Sequence, residues 1–493
     1  MEKGMSIFLS KADTRKLLLL HIIEESFQQQ ITISELKKRM EVSEFIVISA
    51  YEELKEDIKN YRLSDQIAIQ KFNKILKIKR TMNFSSKSLR SIYIQRSLNF
   101  QIIEDIFEEK FSNPSDYAER FYISRTKVYT QITGIKKQLK KYELTLSSQF
   151  KILGNELTIR MYFYNLYQSC YGGQKIPFPK KIRSQIDLFL KEIQKRSAIQ
   201  LSQTSIDKLR FFIGISLQRI QRKKGIKQRM TFTTIIDFKE MNQVVLEAAE
   251  KAFSDKMGAS EVEILTYFIL NLDEFSQFLA LEKGKLDDLT DYFLTEFEAS
   301  FENRMNQKLR GQITTYLRRI HYMILNFNYL QNELDQPIQA RFVEENYPEV
   351  LIFCSSLIRN TPNIKKYQLI KANNIFLFNH YIFLLIDILP PSFFATPIKV
   401  CVDFSLGENY NKFITRNIQS FDFINIEVTN RLTSDTDILL CDYTINDSRN
   451  EEMQVIVWNA PPTTSDWANF GDCISTLRSE KKQEGKFEAY GVS

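Results

Sequence analysis

The stretch Asn113–Tyr142, NPSDYAERFYISRTKVYTQITGIKKQLKKY, has the pattern of a helix-turn-helix. Asn113 or Ser115 can cap a short first helix, with Pro114 in its first turn. Tyr122-Ile123-Ser124 is the predicted turn, and its serine can cap the second helix. Apolar residues then recur every three or four positions, which predicts one buried helix face. They are Val128, Ile132, Ile135 and Leu139.

The opposite face of the second helix carries long donors, amides and hydroxyls. Such side chains reach base edges in the major groove, and lysines and hydroxyls hold phosphates. We expect base contacts from Arg125, Thr126, Lys127 and Gln131, and backbone contacts from Ser124, Tyr129, Thr130, Lys136 and Lys137. Taken alone, the motif also fits an ordinary amphipathic helix pair with a solvated basic face.

Composition indicates a folded, largely helical, multidomain protein. The chain has 493 residues, enough for about three to five domains. It contains only 14 glycines and 11 prolines, and its five cysteines are scattered without a CxxC pair. The cysteine pattern favours a reducing compartment and no zinc site. No signal peptide is visible, and the most apolar segment, Ile375–Leu389, is too short to span a bilayer, so we expect a cytoplasmic protein without a membrane partner.

The positive charge is concentrated in the N-terminal third. Residues 1–160 hold 28 Lys/Arg and 20 Asp/Glu, whereas the whole chain has a net charge of only +7. A polyanionic partner would therefore be bound by this third of the molecule.

An earlier helix-turn-helix pattern spans Ile33–Met40 and Glu44–Asn60, after a first helix at Asp13–Phe27. The second of these helices carries five acids against two lysines, which makes it the less persuasive DNA reader. Alternating residues at Ile67–Phe72 and Lys74–Arg80 then predict a β-hairpin. Residues 70–90 contain seven Lys/Arg and no acid, so the hairpin can be a wing that grips DNA through Lys74, Lys77 and Lys79. A solvated edge hairpin protected by lysines is the alternative.

The remaining chain divides into further helical segments and an α/β end. Leu144–Ile152 would be a second wing, and Leu157–Tyr171 an aromatic-rich helix. Two long helical regions follow, with their border near residue 285. Beyond Pro390-Pro391, apolar strands alternate with helices, which predicts a small parallel α/β domain with a loose tail from about Glu480.

Phe121–Tyr142 and Gly154–Tyr167 (GNELTIRMYFYNLY) together resemble the Mga/AtxA family of global virulence regulators from Gram-positive bacteria. The order of segments also resembles that family: two winged helix-turn-helix units, two helical regulatory domains and an α/β end. The resemblance implies a mainly α, multidomain fold with winged helices at 1–84 and 85–171, domains like phosphotransferase-system regulatory (PRD) domains at 178–284 and 285–390, and an EIIB-like α/β domain at 397–493.

The resemblance also implies function. It implies a transcription regulator that binds double-stranded promoter DNA, a homodimer formed through the C-terminal half, and possible input from a phosphotransferase-system phosphocarrier. Only three histidines exist, and the first helical domain has none, which leaves His321 and His380 as possible phosphorylation sites. The alternatives are that His321 continues an amphipathic helix and that His380 is a core histidine.

In an EIIB-like domain a phosphorylatable cysteine would follow the first strand. Val402 stands at that position, and the neighbouring Cys401 would face the other side of the strand. The domain is therefore expected to keep the fold without phosphotransfer chemistry, with Cys401 as a small core residue.

No catalytic or metal-binding constellation is visible, and no cofactor is expected; the chain lacks a GxxxxGK[ST] loop and a GxSxG motif. A non-enzymatic DNA-binding regulator is the favoured class. An RNA-binding antiterminator with sugar-responsive domains is the alternative, but it predicts a β-rich N-terminal module. A phosphotransferase component would need an acceptor residue where Val402 stands.

Overall fold

The computed structural model describes residues 7–26, 29–172, 175–226, 238–254, 257–278, 285–301, 305–327, 343–344, 346–390, 393, 397–420, 425–444 and 453–489. The fold is mainly helical and multidomain, as the sequence predicts. By internal packing the chain forms two units: unit 1 comprises residues 1–288 and 318–336, and unit 2 comprises residues 289–317 and 337–493. Within the described ranges, no helix combines the length and the apolar character needed to cross a membrane.

Unit 1 begins with three helices and a three-stranded antiparallel sheet in the order β1-β3-β2. The elements are α1 (Lys11–Glu24), β1 (Gln30–Thr32), α2 (Ile33–Met40), α3 (Glu44–Asn60), β2 (Ile67–Phe72) and β3 (Ile75–Arg80). Ser10 caps α1 by accepting a hydrogen bond from the backbone N–H of Asp13 at 3.0 Å. The predicted helix-turn-helix and hairpin are both confirmed at this level of the fold.

A second helix-turn-helix follows, with a shorter hairpin than the first. Its elements are α4 (Ser86–Arg96), α5 (Leu98–Phe107), α6 (Pro114–Arg120), α7 (Arg125–Lys141), β4 (Thr145–Leu146) and β5 (Ile152–Leu153). Gly154 ends the hairpin with a φ of +147°. A Cβ there would lie 2.5 Å from Leu144 Cδ2, so the backbone and the packing both require glycine.

The helical remainder of unit 1 packs against this second motif. It contains α8 (Glu156–Tyr171), α9 (Lys180–Ser197), α10 (Gln203–Gln221), α11 (Phe238–Ala252) and α12 (Ala259–Leu270), followed by a 3₁₀ turn at Asp273–Phe278. Stacked rings join the elements, with centroids 3.9 Å apart for Phe107–Phe163 and 4.0 Å for Phe212–Phe268. α8 is buried over most of its length, so it forms the hydrophobic centre of unit 1.

The second helical region begins near the predicted border. Its elements are α13 (Lys285–Ser300), α14 (Gln307–Asn326), α15 (Pro348–Asn360), a 3₁₀ turn at Lys365–Tyr367, α16 (Gln368–Ala372) and α17 (Asn374–Ile388). The packing units nevertheless divide within α14, between Leu317 and Arg318. His321 therefore belongs to unit 1 and His380 to unit 2, although the sequence places both in one domain.

Unit 2 ends in a four-stranded parallel sheet in the order β7-β6-β8-β9, which confirms the predicted small α/β arrangement. The elements are β6 (Ile398–Val402), α18 (Glu408–Gln419), β7 (Ile426–Thr429), β8 (Ile438–Cys441), β9 (Gln454–Val457) and α19 (Thr464–Ala489). The last helix continues past Glu480, where a loose tail was expected. Val402 lies in the main core of the sheet and Cys401 in a separate cluster, as strand alternation predicts.

Candidate nucleic-acid interface

The turn between α6 and α7 is fixed by two caps and one left-handed residue. Asn113 accepts hydrogen bonds from two backbone N–H groups in the first turn of α6. Tyr122 has a φ of +54°, and its side chain is 97% exposed. Ser124 Oγ accepts a hydrogen bond from the backbone N–H of Lys127 at 3.2 Å and caps α7. The predicted turn and cap are confirmed.

One face of α7 is buried and the other faces solvent. The buried residues are Val128, Ile132, Ile135, Gln138 and Leu139. The exposed residues include Ser124, Arg125, Thr126, Lys127, Tyr129, Thr130, Lys136 and Lys137, whereas Gln131 is half-buried. The structure thus places the predicted DNA-contacting side chains together on a single helix, and only Gln131 has restricted access.

The exposed face of α7 is strongly cationic. The helix contains six Lys/Arg and no acid. In the described part of the chain, no acidic side chain pairs with Arg125, Lys127, Lys136 or Lys137. These charges are therefore available to phosphates or base edges, and none must first leave an internal ion pair.

The two outward threonines of α7 bond to the helix itself. Thr130 Oγ1 donates to the carbonyl oxygen of Thr126, and Thr133 Oγ1 donates to that of Tyr129, both at 2.9 Å. A phosphate oxygen needs a donor, and this arrangement uses the hydroxyl proton. A phosphate contact by Thr130 would require its hydroxyl to turn away from the Thr126 carbonyl, and this contact stays a prediction.

The first wing adds a second basic surface. Lys74 and Lys79 are exposed, and Lys77 is half-buried. Lys77 pairs across the sheet with Gln70 and Gln30, while Lys79 pairs with Ala68. Lys77 and Lys79 thus share the outer face of the sheet, while Lys74 lies in the two-residue turn.

The first helix-turn-helix presents a different kind of surface. Ser43 Oγ accepts from the backbone N–H of Ile46 and caps α3, whose first turn exposes Glu44 and Phe45. Phe45 is 81% exposed, although it is a large apolar residue. Apolar side chains at this position can contact thymine methyl groups, so α3 offers apolar rather than cationic contacts.

A buried ion cluster joins the two helix-turn-helix motifs. Lys16 Nζ of α1 lies 2.5 Å from Asp57 Oδ2 of α3 and 2.9 Å from Asp13 Oδ1. Tyr93 of α4 donates its hydroxyl proton to Asp57 Oδ2 at 2.6 Å, and Arg96 bonds to Asp13. Burial raises the pKa of Asp13, but bonds from Lys16 and Ser10 outweigh it, and the net pKa is lowered.

This cluster was missed by sequence reasoning because its members come from distant parts of the chain. Asp13 and Lys16 are three residues apart on α1, but no spacing pattern links this pair to Asp57, Tyr93 or Arg96. Its consequence is that α3 and α7 belong to one packed body, since both helix-turn-helix motifs share the core of unit 1.

The two candidate phosphorylation residues lie in contrasting environments. His321 is fully buried, and burial lowers the pKa of its imidazole to about 3. A phosphoryl group there would place a dianion in an apolar interior. His380 is exposed, with its ring 4.3 Å from that of Phe376, so it is not the core histidine of the alternative interpretation. Phosphorylation at His380 stays a prediction of the resemblance.

The loop after β6 lacks the features of a phosphate site. Ser405 donates its backbone N–H to Asp442 Oδ1 at 2.9 Å, and the Tyr443 hydroxyl donates to Asp403 Oδ2 at 2.7 Å. Two carboxylates beside this loop disfavour a phosphoryl group. Burial raises the pKa of the Cys401 thiol, as expected for a core residue. Among the residues that the structure describes, no group of His, Cys, Asp or Glu could hold a metal ion.

Comparison with known proteins identifies the second helix-turn-helix motif. Residues 82–167, which contain α4 to β5 and most of α8, match the model of the Mga helix-turn-helix domain. The chain carries the helix-turn-helix domain of the Mga family. The resemblance to Mga/AtxA regulators, drawn from Phe121–Tyr142 and Gly154–Tyr167, is thereby confirmed.

Three proteins to which this chain is similar are named as positive regulators. It is similar to capsule synthesis positive regulator AcpB of Bacillus anthracis (24% identity, covering 44% of this chain and 47% of that protein). It is also similar to AcpA of the same organism (22%; 62% and 60%) and to the anthrax toxin expression trans-acting positive regulator (26%; 43% and 44%). The matches thus span about half the length of these relatives.

Proposed function

We propose that this chain is a transcription regulator that binds duplex promoter DNA through its N-terminal third. The observation that carries the proposal is the exposed face of α7, the second helix of an Mga helix-turn-helix. There Arg125, Lys127, Lys136 and Lys137 pair with no acidic side chain among the residues that the structure describes. Such a helix enters the major groove with its N-terminal residues at the base edges.

In this proposal the residues of α7 divide by their position along the helix. Arg125, Thr126 and Lys127 lie in the first turn and contact base edges, with Gln131 one turn later. Lys136 and Lys137 lie further along and contact phosphates. Lys74, Lys77 and Lys79 of the first wing add contacts to the DNA.

The finer features implied by the resemblance belong to the same proposal. They are the PRD-like domains at 178–284 and 285–390, the EIIB-like domain at 397–493, dimerisation through the C-terminal half, and phosphotransferase input at His380. Sedimentation equilibrium and mass spectrometry that preserves phosphohistidine test the last two. A monomer at all protein concentrations would contradict dimerisation. Phosphotransfer that never labels His380 would contradict phosphotransferase input at that residue.

The proposal is tested by titrating the full chain against random-sequence duplex DNA of about 30 base pairs and against RNA of matched sequence. The test compares the wild type with Arg125→Ala/Lys127→Ala. Duplex binding with a steep salt dependence is expected, and the double variant should bind the duplex more weakly, because it removes two cationic side chains from the face of α7 that meets the DNA.

Lys180→Ala/Lys181→Ala is the matched control. It also removes two positive charges, but from exposed lysines of α9 and not from the proposed interface. An equal loss of DNA affinity in this control would show that the effect of Arg125→Ala/Lys127→Ala comes only from the lower net charge of the chain. Preference for RNA over duplex would favour the antiterminator alternative and contradict the proposal.

A further inference from the structure

The tip of the first wing carries two exposed apolar side chains. Phe72 and Ile75 form the last cross-strand pair of the β2–β3 hairpin, on either side of the two-residue turn at Asn73 and Lys74. Their exposed fractions are 58% and 40%, so a large part of each apolar side chain faces solvent. Asn73 has a left-handed φ of +52°, which turns the chain tightly and leaves the pair at the end of the hairpin.

Strand register shows what lies behind this tip. Directly opposed residues share one face of a sheet, and every second residue returns to it. The outer face therefore presents Ile75 flanked by Phe72 and Thr32 first, then Lys77 flanked by Gln70 and Gln30, and then Lys79. The inner face is the buried one, with Ile69, Leu76 and Ile78 in the core. The outer face of the hairpin is thus apolar at its tip and carries amide and ammonium groups further from the tip.

The charges around the tip favour a nucleic-acid partner over a second protein surface. Residues 70–90 contain seven Lys/Arg and no acid, and Lys71 and Lys74 adjoin the apolar pair directly. A copy of the same strongly basic hairpin would repel it. Lysines alone would suffice to keep an edge hairpin soluble, so an exposed Phe–Ile pair calls for another explanation.

We propose that the wing tip enters the minor groove of duplex DNA and wedges Phe72 and Ile75 against a base step, partly unstacking it. Apolar wedges of this kind kink the duplex, and Lys and Gln read the groove beside them. The step that opens most easily is pyrimidine–purine, so such a step is the expected site. This inference rests on the proposed function, because it needs the chain to bind duplex DNA.

The test uses the full chain and a duplex selected by binding from a random pool. The duplex carries 2-aminopurine at a TA step, and a donor and an acceptor dye at its two ends. The wild type should raise 2-aminopurine fluorescence and shorten the distance between the ends at saturation. Phe72→Ala/Ile75→Ala should abolish both changes and weaken binding about ten-fold, without affecting the buried core.

Lys71→Ala/Lys74→Ala is the matched control, since it changes the same tip but keeps the apolar pair. It should weaken binding and retain the fluorescence change once the duplex is saturated. Binding by the wild type with no 2-aminopurine change, or an unaltered change in the Phe72→Ala/Ile75→Ala variant, overturns the wedge and leaves the proposed function standing. No duplex binding by the wild type overturns both.

Discussion

The buried side chain of His321 makes the stability of the folded chain depend on pH. Its imidazole is fully buried with a pKa of about 3, while an unfolded histidine has a pKa near 6.5. Between these values the unfolded state binds the extra proton. The free energy of unfolding of unit 1 should therefore fall by up to about 1.4 kcal/mol for each pH unit below about 6.5, and level off near pH 3.

His321→Gln should flatten this pH dependence. Urea midpoints followed by far-UV circular dichroism between about pH 4.5 and 6.5 measure it. At about pH 7.5 neither state gains the proton, so the difference between the proteins there reports the packing cost alone. An identical slope in both proteins across the acidic range would show that His321 is accessible to protons when folded.

Sequence reasoning at this scale succeeded where a residue's role is local. Ser124 was recognisable as a cap because a capping side chain bonds to a backbone N–H only three residues further along, and the solvent-facing cations of α7 follow from the helical period. The bond of Thr130 to the Thr126 carbonyl was not indicated by the sequence pattern, and DNA contact by Thr130 stays a prediction. Phe45 and Phe72 were read as parts of helix and strand patterns, which do not reveal side chains left outside the core.

At the level of the helices, a buried ion pair joins α8 to α12. Arg160 of α8 is fully buried and donates to Glu261 of α12 through Nη1 at 2.5 Å and Nη2 at 2.8 Å. Glu156 lies between Arg160 and Arg219 of α10, with its Oε1 at 3.2 Å and 2.8 Å from the two Nε atoms. The network holds the end of the Mga domain to the next helices.

Arg160→Met should destabilise the chain by about 3–5 kcal/mol, because it leaves the Glu261 carboxylate buried and unpaired. The urea midpoint by far-UV circular dichroism measures the change. Replacing both partners, in Arg160→Met/Glu261→Leu, should recover part of the loss. Lys181→Met on the exposed surface of α9 serves as the control. A cost below about 0.5 kcal/mol for Arg160→Met would show that the pair contributes little.

The bounds of α8 were predictable from its capping asparagine and aromatic run, and the start at Glu156 lies one residue before the predicted one. The residues that pair with Arg160 could not be predicted from the sequence. An arginine within an otherwise apolar helix signals a buried partner, but Glu261 lies 101 residues away and nothing local identifies it.

For the whole molecule, the sequence pattern predicted the order of helices and strands along the chain. It did not predict how these elements divide into two packing units. Continuous apolar strands indicated a parallel sheet, and the sheet of β6 to β9 is parallel. The division of packing units within α14 depends on long-range contacts of a regular amphipathic helix, whose period is the same on both sides of Arg318.

Whether α7 reads base edges of duplex DNA, as we propose, is tested by interference footprinting of the full chain. A selected duplex is methylated at guanine N7 in the major groove, and bound and free fractions are compared for the wild type, Arg125→Ala and Lys137→Ala. We expect methylation at specific guanines to block the wild type, and Arg125→Ala to become indifferent to one of them, since arginine pairs with guanine N7 and O6. Lys137→Ala should bind more weakly with an unchanged pattern. A pattern identical in the wild type and Arg125→Ala, or no interference in the major groove at all, would contradict the claim.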